Sequence, residues 1–356
     1  MIGLSLQRIK PVLAYLVIVF SAATGGETQT FVTAPEITPY VIPLTGPLAQ
    51  DDAEISGLAW CNHRLILLPQ YTDFYQENQH YVYALEKNTL LQYVHALQSD
   101  APLPPLEPTV LKVKGMDKLE AVAGYQGLEA IACDGNAAYL AAELNPWGAR
   151  EASAVARAEW QGDVLIVKAV GQTIRSAYKM ANMANEALVV ADDSVLSLSE
   201  VNFVQNKKQP QAHRLSPDLK LLPAVPFSDF PYRLTDATAL DEQGRFWVSN
   251  YLYRGDQHLR RPTDPFWQQY GQAPTHRQGE VMERLVELQW QDNRIKLTGT
   301  APINIQLTEG TGRNWEGIAR LNNLGFLLAT DKYPQTILAF IPSPGAIDSG
   351  DKNVEL

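Results

Sequence analysis

Along most of the chain, short apolar runs alternate with polar turns rich in Asn, Asp and Gly. Cys133-Asp134-Gly135-Asn136, Asp241-Glu242-Gln243-Gly244 and Leu321-Asn322-Asn323-Leu324-Gly325 each separate two such runs. Short β-type runs joined by turns of this composition mark hairpins, so each is predicted as two antiparallel strands. Further strand candidates follow the hairpins: Tyr81 to Leu85 and Val110 to Val113, Val155 to Ala158 and Val164 to Val167, Leu285 to Leu288 and Ile295 to Leu297.

The hairpins share a phase. A polar residue precedes a small-aliphatic-small triplet, and a second polar residue ends the following apolar run. The copies start and end at Ser56 and Gln70, Glu129 and Glu143, Glu186 and Glu200, Asp236 and Asn250, and Glu316 and Asp331. The two polar positions are 14 residues apart in four copies and 15 in the last, and the copies recur after 73, 57, 50 and 80 residues. Four strands per copy at such intervals predict an all-β fold, a single β-propeller of five four-stranded blades, with six as the alternative. The last hairpin has one strong strand after it, so the segment around Phe31 to Pro43 is expected to supply the outer strands and close the ring.

The start of a hairpin's first strand and the end of its second lie at one edge of a sheet. Every copy's polar pair therefore falls on one face of the propeller, giving a ring of Glu129, Glu186, Asp236 and Glu316 backed by Glu143, Glu200, Asn250 and Asp331. Glu54, two residues before Ser56, is the candidate to replace the acid missing from the first copy. Converging carboxylates repel one another unless a cation compensates. Oxygen donors without histidine or thiolate favour a hard cation, so Ca2+ is the predicted cofactor; the alternative is that these residues cap strand ends and bind water.

Charge and ends refine this picture. The chain carries a net charge of −10, which argues against nucleic acid or an anionic membrane as partner. Residues 1–23 combine Arg8 and Lys10, an apolar core and small residues at Ser21-Ala22-Ala23, the pattern of a secretory signal peptide. A secreted or periplasmic protein is therefore expected, with the propeller over 24–343 and a flexible acidic tail over 344–356. Cys61 and Cys133 are either one disulfide or two buried thiols. No GxSxG elbow, P-loop, HExxH or CxxC is present.

Cations near the ring suggest a substrate-binding set. Arg233 and Arg313 each stand three residues before the acid of their copy, and Lys332 follows Asp331. The connection after the fourth hairpin is long, mixes aromatic and basic residues including Arg254, His258 and Arg260, and reads as a lid over the ring.

The phrases EISGLAW, GLEAIACDGNAAYLAAE, TDATALDEQGRFWVSNY and NWEGIARLNNLGFLLATD resemble repeats of the secreted bacterial propellers of the "esterase-like activity of phytase" family, over about Glu54 to Ile341. The resemblance implies a propeller and, for some members, metal-assisted hydrolysis of phosphoesters or esters. This chain departs from the family pattern at Ser249-Asn250-Tyr251 and Pro69-Gln70-Tyr71, where acids are expected. Two readings follow: a calcium-dependent hydrolase of a small anionic substrate, or a calcium-stiffened propeller that binds a glycan, peptide or protein.

Overall fold

The computed structural model describes residues 33–97, 103–146, 151–176, 183–203, 209–308 and 311–344. The expected leader and, from residue 345, the expected tail lie outside the described residues. The described chain is nearly all β. Its longest helix, Lys87–Ala96, is inserted between two strands and buries Leu90, Tyr93 and Val94, one helical face.

Apart from Glu36–Ile37, Ile174–Arg175 and Ile303–Ile305, the strands fall into five consecutive quartets, the first two joined into one sheet by the parallel pairing of Thr109–Lys114 with Val164–Val170. The first contains Ile55–Cys61, Arg64–Pro69, His80–Glu86 and Thr109–Lys114, and the second Tyr125–Asp134, Ala137–Leu144, Ala152–Gln161 and Val164–Val170. The third contains Asn185–Ala191, Ser194–Ser199, Gln211–Leu215 and Leu221–Pro226. The fourth is Arg233–Ala237, Arg245–Leu252, Met282–Gln291 and Arg294–Leu297. The fifth takes Trp315–Leu321, Gly325–Thr330 and Leu338–Pro342 from the end of the chain and Tyr40–Ile42 from its beginning, paired antiparallel. Just before it, Glu36–Ile37 pairs with Ile303–Ile305 on the sheet of the fourth quartet.

The first strands of successive quartets lie against one another, and that of the fifth lies against that of the first. Residues there must be small. A Cβ on Gly317 would stand 2.7 Å from Leu58 Cγ of the first quartet. The apolar clusters lie mainly between neighbouring sheets, for example Leu58, Leu67, Ala319 and Leu327 between the first and fifth. Cys61 and Cys133 form a disulfide between the turn ends of the first two quartets.

Candidate functional site at the carboxylate face

Each inner strand breaks register with its neighbour near its start, and that of the second quartet does so a second time, at Gln126. The extra residue is Ser56, Glu129, Glu186, Thr235 or Glu316 in the five quartets. A bulge re-aims its side chain, and here it does so at one level around the whole ring. The fourth copy is thereby corrected: Thr235, not Asp236, is equivalent to the three glutamates. Asp236 occupies the small-residue position of Gly57, Ala130, Ala187 and Gly317, where its Oδ2 accepts the N–H groups of Leu58 (3.3 Å) and Ile318 (2.8 Å). It ties three inner strands together from inside the ring.

The same slip applies at the second position. Gly127 faces Glu143 and Arg233 faces Tyr251, while Gln70, Glu200 and Asp331 donate their N–H groups to Glu54, Ala184 and Asn314. The second rank is therefore Gln70, Glu143, Glu200, Tyr251 and Asp331. Asn250 is not in it: its amide donates to the Pro231 and Arg233 carbonyls, both at 2.8 Å, and its Oδ1 accepts from Arg284 Nε at 2.7 Å. The additional residue in the fifth copy lies in the turn, three residues long between Leu321 and Gly325 against two between Ala191 and Ser194.

What fills the bulge divides the quartets. Ser56 donates to the Leu128 carbonyl at 2.7 Å and Thr235 to the Trp315 carbonyl, each the residue before the bulge in the next quartet. The glutamates make no such bond. Glu129 accepts from Gln70 at 2.8 Å and Glu316 from Asn314. Glu186 has no hydrogen bond or ion pair among the described residues.

Burial, reinforced by the neighbouring acids, pushes all three carboxyls well above their ordinary range; Glu129 feels Glu143, Glu186 feels Glu200, and Glu316 feels Asp331. Burial also raises Glu143, with Glu151 and Glu200 adding to it, and Glu200 despite Arg233, each to about 7. Asp331 is raised by burial against the opposing Tyr333 N–H and Asn314. Among the described residues, the one cation deep in the mouth is Arg233, which bonds Glu200 and grips Asp256 with both ends of its fork at 2.6 and 2.8 Å. Lys332 closes on Glu54 at 2.7 Å at the rim.

Arg313 does not share this position. It stands three residues before its bulge and Arg233 only two, so strand alternation turns it to the other side. There it pairs with Glu283 at 2.8 Å, donates to the Gln306 carbonyl and lies 5.0 Å over the Trp315 ring.

The long connection after the fourth hairpin is a side wall rather than a lid. Asp264 caps the helix Pro265–Tyr270 and meets Arg284 at 2.9 Å, both side chains fully buried, and Phe266 packs against Phe230. Arg261 binds Asp229. His258 and Arg260 are exposed and reach none of the mouth acids. Only the ends of the connection remain at the mouth, where Arg254 pairs with Glu280 at 3.1 Å beside a cavity of about 390 Å³.

Three groups at the mouth escaped the pattern search: Asp256, Tyr251 and the exposed tyrosines Tyr71, Tyr253 and Tyr333. Their signal was positional, since each tyrosine follows a second-rank residue by one or two places.

The donors fit a hard cation in kind: all are oxygens, Glu186 is unpartnered, and the buried Oε2 of Glu200 has no hydrogen bond. Among the described residues no three His, Cys, Asp or Glu groups are gathered closely enough to hold an ion as they stand.

No family model matches the chain, and no curated protein does. Among solved structures, the GH43_1 enzyme from Xanthomonas citri complexed with xylotriose aligns over 87% of this chain and 92% of its own at 10% identity and a TM-score of 0.46. A glucose dehydrogenase aligns over 84% and 99% at 11% identity and 0.43. The soluble aldose sugar dehydrogenase from Escherichia coli aligns over 86% and 100% at 11% and 0.42. These likenesses are too distant to carry a substrate or a mechanism to this chain.

Proposed function

We propose that the five quartets are the blades of a five-bladed propeller, and that the protein is a calcium-dependent hydrolase of an ester or phosphoester at its carboxylate face. The observation that supports this is the buried bulge trio Glu129, Glu186 and Glu316, near which, among the described residues, the only deep cation is Arg233, bound to the second rank. Glu129, Glu186 and Glu316 would hold Ca2+, with Glu143 and Asp331 as further oxygen donors. When bound, the cation would polarise the scissile group and acidify a bound water.

The chain's own groups have separate parts. Arg233, fixed by Glu200 and Asp256, orients the second rank and leaves little of its fork for a substrate. Glu200 Oε2, unpartnered on a carboxyl that titrates near 7, can hold or release a proton near neutrality, as a general acid or base must. Lys332 at the rim is the cation able to meet an anionic group. The disulfide accords with an oxidising compartment, secreted or periplasmic.

The test is a calcium titration followed by thermal shift, with turnover of p-nitrophenyl phosphate and p-nitrophenyl acetate. Calcium should raise the melting temperature of the wild type and of the exposed-site control Glu242→Gln, but not of Glu186→Gln. A wild type that ignores calcium defeats the reading. Calcium binding with both substrates intact leaves the non-catalytic, calcium-stiffened binding propeller.

A further inference from the structure

Exposed tyrosines at this face are not scattered; Tyr75, 52% exposed, lies in the same connection as Tyr71. Tyr71, Tyr253 and Tyr333 are 45%, 55% and 61% exposed, and they leave the first, fourth and fifth quartets, which are consecutive around the ring. Each is tied to the acid mouth. The Tyr71 phenol is raised by burial and by Glu54 and Glu129. The Tyr333 N–H donates to Asp331 at 2.6 Å and its ring lies 5.8 Å from the Lys332 ammonium. Tyr253 donates its N–H to Asp256, the partner of Arg233, and its ring rests where Gly255 has no side chain, since a Cβ there would fall 2.5 Å away.

The arc that carries the tyrosines also carries Lys332, Arg233 and Arg254, each paired with an acid, Glu54, Asp256 and Glu280, together with Glu316 and Asp331. Across it stand Glu129, Glu143, Glu186 and Glu200, with Glu186 only 8% exposed and without a partner among the described residues.

We propose that this rim binds the sugar portion of the substrate, an uncharged oligosaccharide whose ring faces lie on Tyr71, Tyr253 and Tyr333 while its hydroxyls reach the carboxylates. A flat aromatic face suits the C–H face of a pyranose, and a phenol adds a polar tip. Hydroxyls both donate and accept, so they can serve the carboxylates and the cationic donors that line this mouth alike. An ammonium ligand, which tyrosines and acids also attract, is the rival occupant, and tetramethylammonium, titrated alongside the oligosaccharides, tests it: binding of that ion with no oligosaccharide binding overturns the proposal. The inference deepens the proposed function in placing the substrate at this mouth, and does not depend on the cation.

Calorimetric titration of the full chain with xylotetraose, cellotetraose, maltotetraose and chitotetraose tests it. At least one should bind at millimolar concentration or better, and each of Tyr71→Ala, Tyr253→Ala and Tyr333→Ala should weaken that binding about fivefold. Leu221→Ala, an exposed apolar residue on an outer strand, should leave it unchanged. All four tyrosine and leucine variants should keep the wild-type response to calcium. Failure of every oligosaccharide to bind the wild type overturns the proposal, as does equal binding by the tyrosine variants. A missing calcium response with sugar binding intact counts against the cation alone.

Discussion

At the flank of the fourth quartet, Arg284 and Asp264 have no exposed side-chain surface and meet at 2.9 Å, with Asn250 taking another guanidinium N–H and Phe266 lying 4.4 Å beneath the charge. At the mouth, Glu186 is nearly as deeply buried and has no hydrogen bond or ion pair among the described residues. Burying an uncompensated charge is expensive, and proteins normally pair it. This chain does so at Arg284 and again at Glu283, where Arg313 and Trp315 Nε1 converge. Glu186 departs from that pairing: among the described residues it has neither a cation nor a hydrogen bond, whereas Asp236, which also lacks a cation, is held by backbone N–H groups. Exceptions of that kind concentrate where something else has to bind.

The contrast can be attacked from its strongest side. Arg284→Ala leaves Asp264 buried and unpaired and should cost about 3 to 5 kcal/mol in chemical denaturation. A loss near zero would mean the flank pair is no better satisfied than the mouth. Next comes Asp236→Ala, which strands the N–H groups of Leu58 and Ile318 and should cost about 3 kcal/mol, whereas Asp236→Asn keeps an acceptor and should cost little.

Asp236 also sets a pH dependence. Burial holds its carboxyl well above the ordinary value, so above about pH 4 the unfolded chain sheds this proton while the folded chain keeps it. The folded state then binds more protons, and stability falls as pH rises. The Asp236→Asn variant should show a flatter fall between acid and neutral pH than the wild type.

Smaller and opposite in sign, Glu186→Gln without calcium should stabilise by about 1 kcal/mol by removing an unpaired buried acid; a loss instead would show that this side chain has a partner in solution. Smallest is Thr235→Val, which removes one bond to the Trp315 carbonyl and should cost about 1 kcal/mol or less, with no effect on any calcium response.

The sheets were legible because turn chemistry and apolar runs repeat, and the face carrying Glu129, Glu186 and Glu316 followed from hairpin geometry. The phase of the fourth copy was not. Thr235 and Asp236 are adjacent and both polar, and a bulge has no residue signature of its own, so the acid drew the alignment one place too far. That single slip moved Asp236 and Asn250 into a ring they do not join and made Arg313 the twin of Arg233. The side wall was hidden for another reason: its basic residues look like a solvated or substrate-facing loop until Asp229 and Arg284, distant in sequence from Arg261 and Asp264, arrive beside them.

The fifth quartet is finished by Tyr40–Ile42, pairing with Leu338–Pro342. In a chain made from its N-terminus, that strand appears before all four other quartets and must wait for Leu338–Pro342, which follows them. Until then the ring is an open arc with two bare sheet edges, the form most prone to pair with another molecule. Removing residues 33–43 should therefore do more than shorten the protein: it leaves the hoop without its clasp. Moving the same strand to the other end, in a permuted chain that continues from residue 344 into 33, should close it again and convert the longest wait in folding into one of the shortest.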